Sequence, residues 1–161
     1  MSTRLFHTIP PVFDQKSCVL ILGTFPSPKS RETGFFYGHP QNRFWPALAA
    51  LWDEPVPGDR TARRRFALGH RIALWDVLAS CEITGASDAS IRNPVPNDIA
   101  ALLAKAPIRA VFCTGATAHR LYGHLCLPAT GIPAGLLPSP SPANARMSLG
   151  ELVDAYRAIL P

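Results

Sequence analysis

The chain lacks most of the signatures by which an enzyme is usually read from sequence. No glycine-rich phosphate motif of the P-loop or dinucleotide type is present, because the turn at Gly23 is not followed by the further glycines that close backbone–phosphate contact requires. No GxSxG elbow occurs, and Ser139 and Ser141 have no base near them in sequence, which argues against a serine nucleophile. Cysteine is scarce: Cys18, Cys81, Cys113 and Cys126 form no CxxC pair, and no histidine stands at zinc-ligand spacing beside one. Reduced thiols, no metal and no iron–sulfur cluster are therefore expected, with Cys18 and Cys113 reading as small buried residues in apolar runs. Long hydrophobic runs are also missing. No stretch approaches the ~18 apolar residues of a membrane span, and residues 1–6 lack the apolar core of a signal peptide. No membrane association is expected.

Charge is sparse, at 17% of residues, yet it leans one way: 16 Lys and Arg against 11 Asp and Glu give +5 and a pI near 9.4. That balance permits a polyanionic partner and also suits an ordinary solvated surface. What the chain has in plenty is apolar content, 47%, enough for a full core in one domain spanning residues 1–161. Seventeen prolines and eleven glycines are scattered, so they punctuate elements.

The apolar run 18–22, ended by Gly23, reads as a strand buried on both faces, and 108–113 as a second. Residues 72–78 read as a short strand leading into a helical turn, 82–96 as loop, and 135–137 as a last strand. Residues 1–15 read as loop or a short edge element, because Pro10-Pro11 blocks regular structure. Helices are expected from an Asn42 N-cap to about residue 52, over 61–68, over 99–105 capped by Asn97-Asp98, and over 116–125. The last is expected from Ser148, spaced with Glu151 as a capping box, to about residue 160. Strands alternating with helices imply an α/β domain with a mainly parallel sheet and helices on both faces. In such folds ligands bind beyond the carboxyl ends of the strands, where the loops after Leu22 and Leu137 emerge.

The most informative stretch is 34–45, which sets Phe35, Phe36, Tyr37, Phe44 and Trp45 around His39, Asn42 and Arg43. Hydrogen-bonding groups set among aromatics are what a pocket for a flat polar ring requires, and an extruded nucleobase is such a ring. Each residue also has a plainer reading. Asn42 is a helix N-cap, Tyr37 and Phe36 are loop packing, and Phe44 and Trp45 are core. His39 holds its loop, Asp76 bonds backbone or contacts the site, and Arg63-Arg64-Arg65 is a solvated helix face or a phosphate contact.

Two segments, VLILGTFPSPKSRETGFFYGHPQNRFW and LLPSPSPANARMSL, resemble the two signature regions of the uracil-DNA glycosylase superfamily, and with IALWDVLASCEITGASDASI they are most similar to its hypoxanthine-DNA (deoxyinosine) glycosylase branch. The resemblance implies a three-layer α/β/α fold around a mainly parallel four-stranded sheet. It also implies a monofunctional glycosylase that hydrolyses the N-glycosidic bond of a deaminated base, hypoxanthine first and uracil next, in base excision repair. It places Asn42 as the catalytic residue that orients water. Thr24, Phe25, Pro26, Tyr37, Phe36 and His39 would meet the base, with Tyr37 or Phe36 stacking on it. Ser27, Lys29, Ser139, Ser141, Asn144 and Arg146 would contact DNA. The pattern departs in two places. Thr24-Phe25 stands where related enzymes carry an Asp or Asn, and Pro142-Ala143-Asn144 stands where a leucine often intercalates. The first departure supports an alternative, a non-catalytic binder of nucleic acid or damaged base. Nothing around Lys29, one of only three lysines, suggests Schiff-base chemistry. The implied reaction needs no cofactor, and a monomer that needs DNA and no obligate protein partner is expected, cytoplasmic or nucleoid-associated in a bacterium.

Overall fold

The computed structural model describes residues 3–85 and 87–161. Four parallel strands, β2 (Val19–Gly23), β3 (Ile72–Asp76), β6 (Ala110–Thr114) and β7 (Ala134–Leu137), form a sheet in the order β3-β2-β6-β7. The central strand β2 is buried along its whole length, as its uninterrupted apolar run requires. Its side chains alternate between two cores. Val19 and Ile21 pack with Phe44, Trp45 and Leu48 of α2 (Phe44–Leu51), with Ala67 of α3 (Arg60–Gly69), and with Leu152 and Tyr156 of α7 (Leu149–Tyr156). Leu20 and Leu22 pack with Ile99 and Leu102 of α4 (Ile99–Leu103) and with Leu121 and Tyr122 of α5 (Ala116–Leu125). Helices thus cover both faces, the expected three layers. Trp45, Tyr122, Tyr156 and Phe44 are the largest fully buried side chains, and each such aliphatic or aromatic burial contributes roughly 1.5–3 kcal/mol.

The register matters most for the site. Gly23 pairs with Asp76, Leu22 with Cys113, and Thr114 with Leu137. The carboxyl ends of the strands are therefore level, and the loops leaving them share one edge.

Several local expectations are met for local reasons. Ser148 and Glu151 close a full capping box, and Asp98 caps α4 by accepting from the Ala101 N–H at 3.1 Å. A short α6 (Leu127–Thr130) follows α5, and a 3₁₀ turn (Arg157–Ile159) follows α7. Other expectations are corrected. The segment after Asp76 is no helical turn but strand β4 (Leu78–Ile83), in a second, antiparallel sheet ordered β1-β4-β5 with β1 (Thr3–Phe6) at one edge. The expected loop 82–96 contains the end of β4, a 3₁₀ turn (Asp88–Ser90) and β5 (Arg92–Pro96). Pro94 and Pro96 obscured β5, yet an edge strand tolerates proline because it needs bonds on one side only. The long loop after Gly23 contains α1 (Pro28–Thr33). Ser27 caps it, Pro28 starts it, and Gly34 at φ 75° ends it.

Candidate active site

A cleft of about 940 Å³ opens at the carboxyl ends of β2, β3 and β6. Its walls are the segment 23–42, the loop 139–144, and the turn that follows β4. Every residue expected from sequence to meet base or DNA lines it except Arg146, which is exposed on the adjoining surface.

The floor is built by contacts no local pattern encodes. Asp76, at the end of β3, is buried, and its Oδ2 lies 2.8 Å from Nε2 of His7, whose ring is equally buried. The other carboxylate oxygen, Oδ1, has no hydrogen-bond partner among the described residues and lies over Gly23, where a Cβ would come within 2.5 Å of it. Any side chain there would displace the carboxylate, so glycine leaves Asp76 its place. Tyr37 converges on the same spot. Its hydroxyl is 3.1 Å from Thr114 Oγ1, and since Thr114 donates to the Leu22 carbonyl at 3.4 Å, Tyr37 is the donor of the pair. Phe44 stacks on one face of the Tyr37 ring, with centroids 3.8 Å apart and planes 12° from parallel. Burial, reinforced by the Asp76 charge, raises the Tyr37 phenol well above its ordinary pKa, so it stays a neutral donor. Tyr37 has φ 53°, a left-handed conformation that costs an L-residue about 1–2 kcal/mol and is retained where surrounding contacts over-determine it.

Phe36 borders the cleft but is 2% exposed. Its ring packs against Phe35, and its carbonyl accepts from Trp45 Nε1 at 3.2 Å. Phe25 is half-buried, with the Arg31 guanidinium 6.0 Å from its ring centroid. Arg31 also lines the cleft, and its Nε is a buried donor without a partner among the described residues. Thr24 donates to Asp88 Oδ2 at 3.3 Å, and Thr24 O accepts from the Leu78 N–H. Among the described residues, the Phe25 and Ser27 N–H groups donate to no protein acceptor; Pro26 between them has none to give. Lys29 lies 3.4 Å from Glu32 on α1.

Asn42 is fixed by its own turn. Its N–H donates to the His39 carbonyl, and its Oδ1 accepts from the Phe44 N–H at 2.9 Å. The helix begins after Arg43, one residue later than expected, and Asn42 caps it from outside through this i to i+2 bond. One lone pair of Oδ1 and both Nδ2 hydrogens remain for a ligand. His39 Nδ1 accepts from the Gln41 N–H, which leaves the neutral ring's proton on Nε2.

The second loop is a chain of serine turns. Ser139 Oγ accepts from the Ser141 N–H, Ser141 Oγ accepts from the Ala143 N–H, and Asn144 Nδ2 donates to the Ser139 carbonyl. Both serine hydroxyls act as acceptors here, so their protons are still available to a phosphate oxygen. Arg43, not singled out from sequence, joins this loop to the first one. Its N–H donates to the Pro140 carbonyl, and its guanidinium donates to the carbonyls of Met147, Ser141 and Asn144. Asp76, read from sequence as bonding backbone or contacting the site, lines the cleft; its signal is a lone acid in an apolar strand. His7 and Thr114 carry none, because their partners are 69 and 77 residues away.

Among the described residues no group of three or more His, Cys, Asp or Glu side chains is placed to hold a metal ion. Burial pushes the Cys113 thiol up to about 12 and the Cys126 thiol up to about 11, leaving both inert as nucleophiles. No helix is long and apolar enough to cross a membrane among the described residues.

A parallel α/β sheet with an aromatic and amide-lined cleft at its carboxyl edge is a ligand-binding α/β fold of the kind set out above. Residues 10–159 match the family described as the uracil DNA glycosylase superfamily, and the chain belongs to that superfamily. It is 32% identical over 140 residues to a Methanosarcina acetivorans protein named hypoxanthine DNA glycosylase, covering 86% of this chain and 88% of the relative. It is also 32% identical over 139 residues to a protein of the same name from Methanosarcina barkeri, covering 85% and 87%. The solution NMR structure of a candidate uracil DNA glycosylase from Methanosarcina acetivorans superposes with a TM-score of 0.80 at 28% identity, covering 98% of this chain and 99% of that one.

Proposed function

We propose that the chain is a monofunctional DNA glycosylase that removes hypoxanthine, and more slowly uracil, from DNA. One observation favours these bases over adenine and cytosine: Asp76 Oδ1, at the cleft floor with no hydrogen-bond donor among the described residues. Deaminated bases share one edge, an N–H beside a carbonyl. Hypoxanthine presents N1–H and O6, uracil N3–H and O4. A carboxylate accepts that N–H and repels the bare ring nitrogen that adenine and cytosine present instead, leaving a buried group unpaired. Hypoxanthine ranks first because the relatives above carry that name and because a purine covers more of the aromatic wall.

Hydrolysis breaks the C1′–N9 bond, and its electron pair leaves with the base. The sugar becomes oxocarbenium-like, and water adds through oxygen to C1′ and loses a proton. The products are free hypoxanthine and an abasic site. Asn42 places the water through the free lone pair of Oδ1 or through Nδ2, and its bond to the Phe44 N–H fixes its rotamer. The Phe25 and Ser27 amides meet the charge growing on the base. An unpartnered carboxylate beside a departing anion would slow this step; at Asp76 one oxygen accepts a hydrogen bond from His7 Nε2. Phe44 covers one face of Tyr37, so a base stacks on the opposite face.

The test is an oligonucleotide carrying one deoxyinosine or one deoxyuridine, treated with protein and then with alkali. Strand breaks that need alkali, faster at deoxyinosine, are expected. Breaks at neither lesion refute the reading, and a borohydride-trapped covalent adduct refutes its monofunctional part.

A further inference from the structure

A second concavity, of about 580 Å³, lies at the other end of the sheet. Lys16 precedes β2, Arg71 precedes β3, and Arg64 and Arg65 project from α3 to join them. The cleft described above lies at the carboxyl ends of these same strands, and a five-residue strand spans about 16 Å. The two sites therefore face opposite edges of the sheet.

All four cations are exposed, and among the described residues none is in a salt bridge. The one acid in the lining, Asp14, is engaged in its own turn, accepting from the Lys16 N–H at 2.8 Å and from Ser17 Oγ. The arginine run 63–65 divides its work. Arg63 turns inward, donates to the Pro57 carbonyl and sits over the Trp45 ring, while Arg64 and Arg65 remain at the concavity. A second observation singles out Arg71. It follows the C-cap of α3 at φ 61°, the left-handed position that glycine or asparagine fills without strain. An arginine there strains the fold, and strain of this kind concentrates where a side chain has a task.

We propose that this concavity binds the phosphodiester backbone of nucleic acid, as a second contact independent of the excision cleft. Three guanidinium forks and an ammonium from three separate segments supply the positive charge and the N–H donors that phosphate oxygens accept. No aromatic side chain lines the concavity, so bases have nothing to stack on and the contact is indifferent to sequence. The protein can hold one DNA segment at the cleft and another behind it. The proposal stands whether or not the cleft excises hypoxanthine.

The test is fluorescence anisotropy of an undamaged, labelled duplex titrated with protein over a range of salt concentrations. Three variants are compared with wild type: Arg64→Gln/Arg65→Gln, Arg71→Gly, and a control of equal charge loss elsewhere, Arg120→Gln/Arg157→Gln. The double variant is expected to bind about tenfold more weakly at moderate salt and to lose about 2 from the slope of log K against log salt. Arg71→Gly is expected to lose about 1 from that slope while its melting temperature stays level or rises, since glycine removes the strain. Deoxyinosine excision from an oligonucleotide too short to reach behind the sheet should be unchanged in both. Equal losses in the control, or unchanged slopes in both concavity variants, overturn the proposal. Polyglutamate competing as well as DNA for the site would overturn its phosphate character.

Discussion

The Asp76 carboxylate occupies the space that a side chain at position 23 would need, with a Cβ on Gly23 falling 2.5 Å from Asp76 Oδ1. Gly23 and Asp76 are register partners at the ends of β2 and β3, so neither backbone can retreat. Gly23→Ala is expected to push the carboxylate off His7 and out of the floor. Overpacking of this kind costs about 1–3 kcal/mol, and displacing one hydrogen bond to a charged group costs the base about 1.5–3 kcal/mol. Denaturant melts and kcat/KM on a deoxyinosine duplex check both. An Ala variant with native stability and activity would mean that Asp76 does not read the base.

Arg43 is expected to be a positioning residue. Its guanidinium bonds three carbonyls of the second loop; once it is gone, the Ser141 and Asn144 carbonyls keep one backbone N–H each, and the Met147 carbonyl keeps no donor among the described residues. Arg43→Gln should cost about 1–3 kcal/mol of stability. It should expose the segment 139–147 to limited proteolysis and raise KM for DNA more than it lowers kcat. Lysine at this position restores charge without the planar fork and should rescue little. Loss of stability with KM unchanged would confine Arg43 to a structural role.

Asp88 supplies a pH signature. Partial desolvation at the cleft wall raises the carboxyl pKa of this surface residue, opposed by the Thr24 hydrogen bond and aided by Asp76. A raised carboxyl pKa means that the folded chain holds the proton longer than the unfolded one. Below the unfolded value, about 3.9, both states are protonated and nothing is lost. As pH rises from there through the raised folded value, the unfolded chain gives up its proton first and the native state loses stability relative to it. Asp88→Asn should therefore melt higher than wild type at about pH 7 and match it near about pH 3.5. It should also bind DNA more tightly at the higher pH, because one charge facing phosphates is gone. A variant that melts lower at the higher pH contradicts this.

How far the sequence reveals this molecule follows from how far apart partners lie. The burial of β2 is written in its apolar run, and the cap of α7 in Ser148 and Glu151, three residues apart. The cleft-lining segment 23–42 is legible for the same reason. Its aromatics, Asn42 and His39 are close in sequence and carry a family pattern. The pairings that build the floor are not legible, because Asp76 meets His7 across 69 residues and Tyr37 meets Thr114 across 77. Strand β5 escaped because two prolines in five residues read as loop, while an edge position tolerates them. Arg43 was in view within the aromatic stretch, but its task depends on three carbonyls about a hundred residues on, which only the fold brings near.

In the proposed reaction most of the chemistry converges on Asn42, since Thr24 and Phe25 offer no side-chain acid or amide. The most direct test is single-turnover release of free hypoxanthine from a deoxyinosine duplex by wild type and by Asn42→Ala, with binding of the same duplex measured alongside. Removing a water-positioning group of this kind is expected to slow release by roughly 10²–10⁴-fold while affinity for the duplex stays near that of wild type. Release by Asn42→Ala at the full wild-type rate, or no release by wild type, would contradict the account.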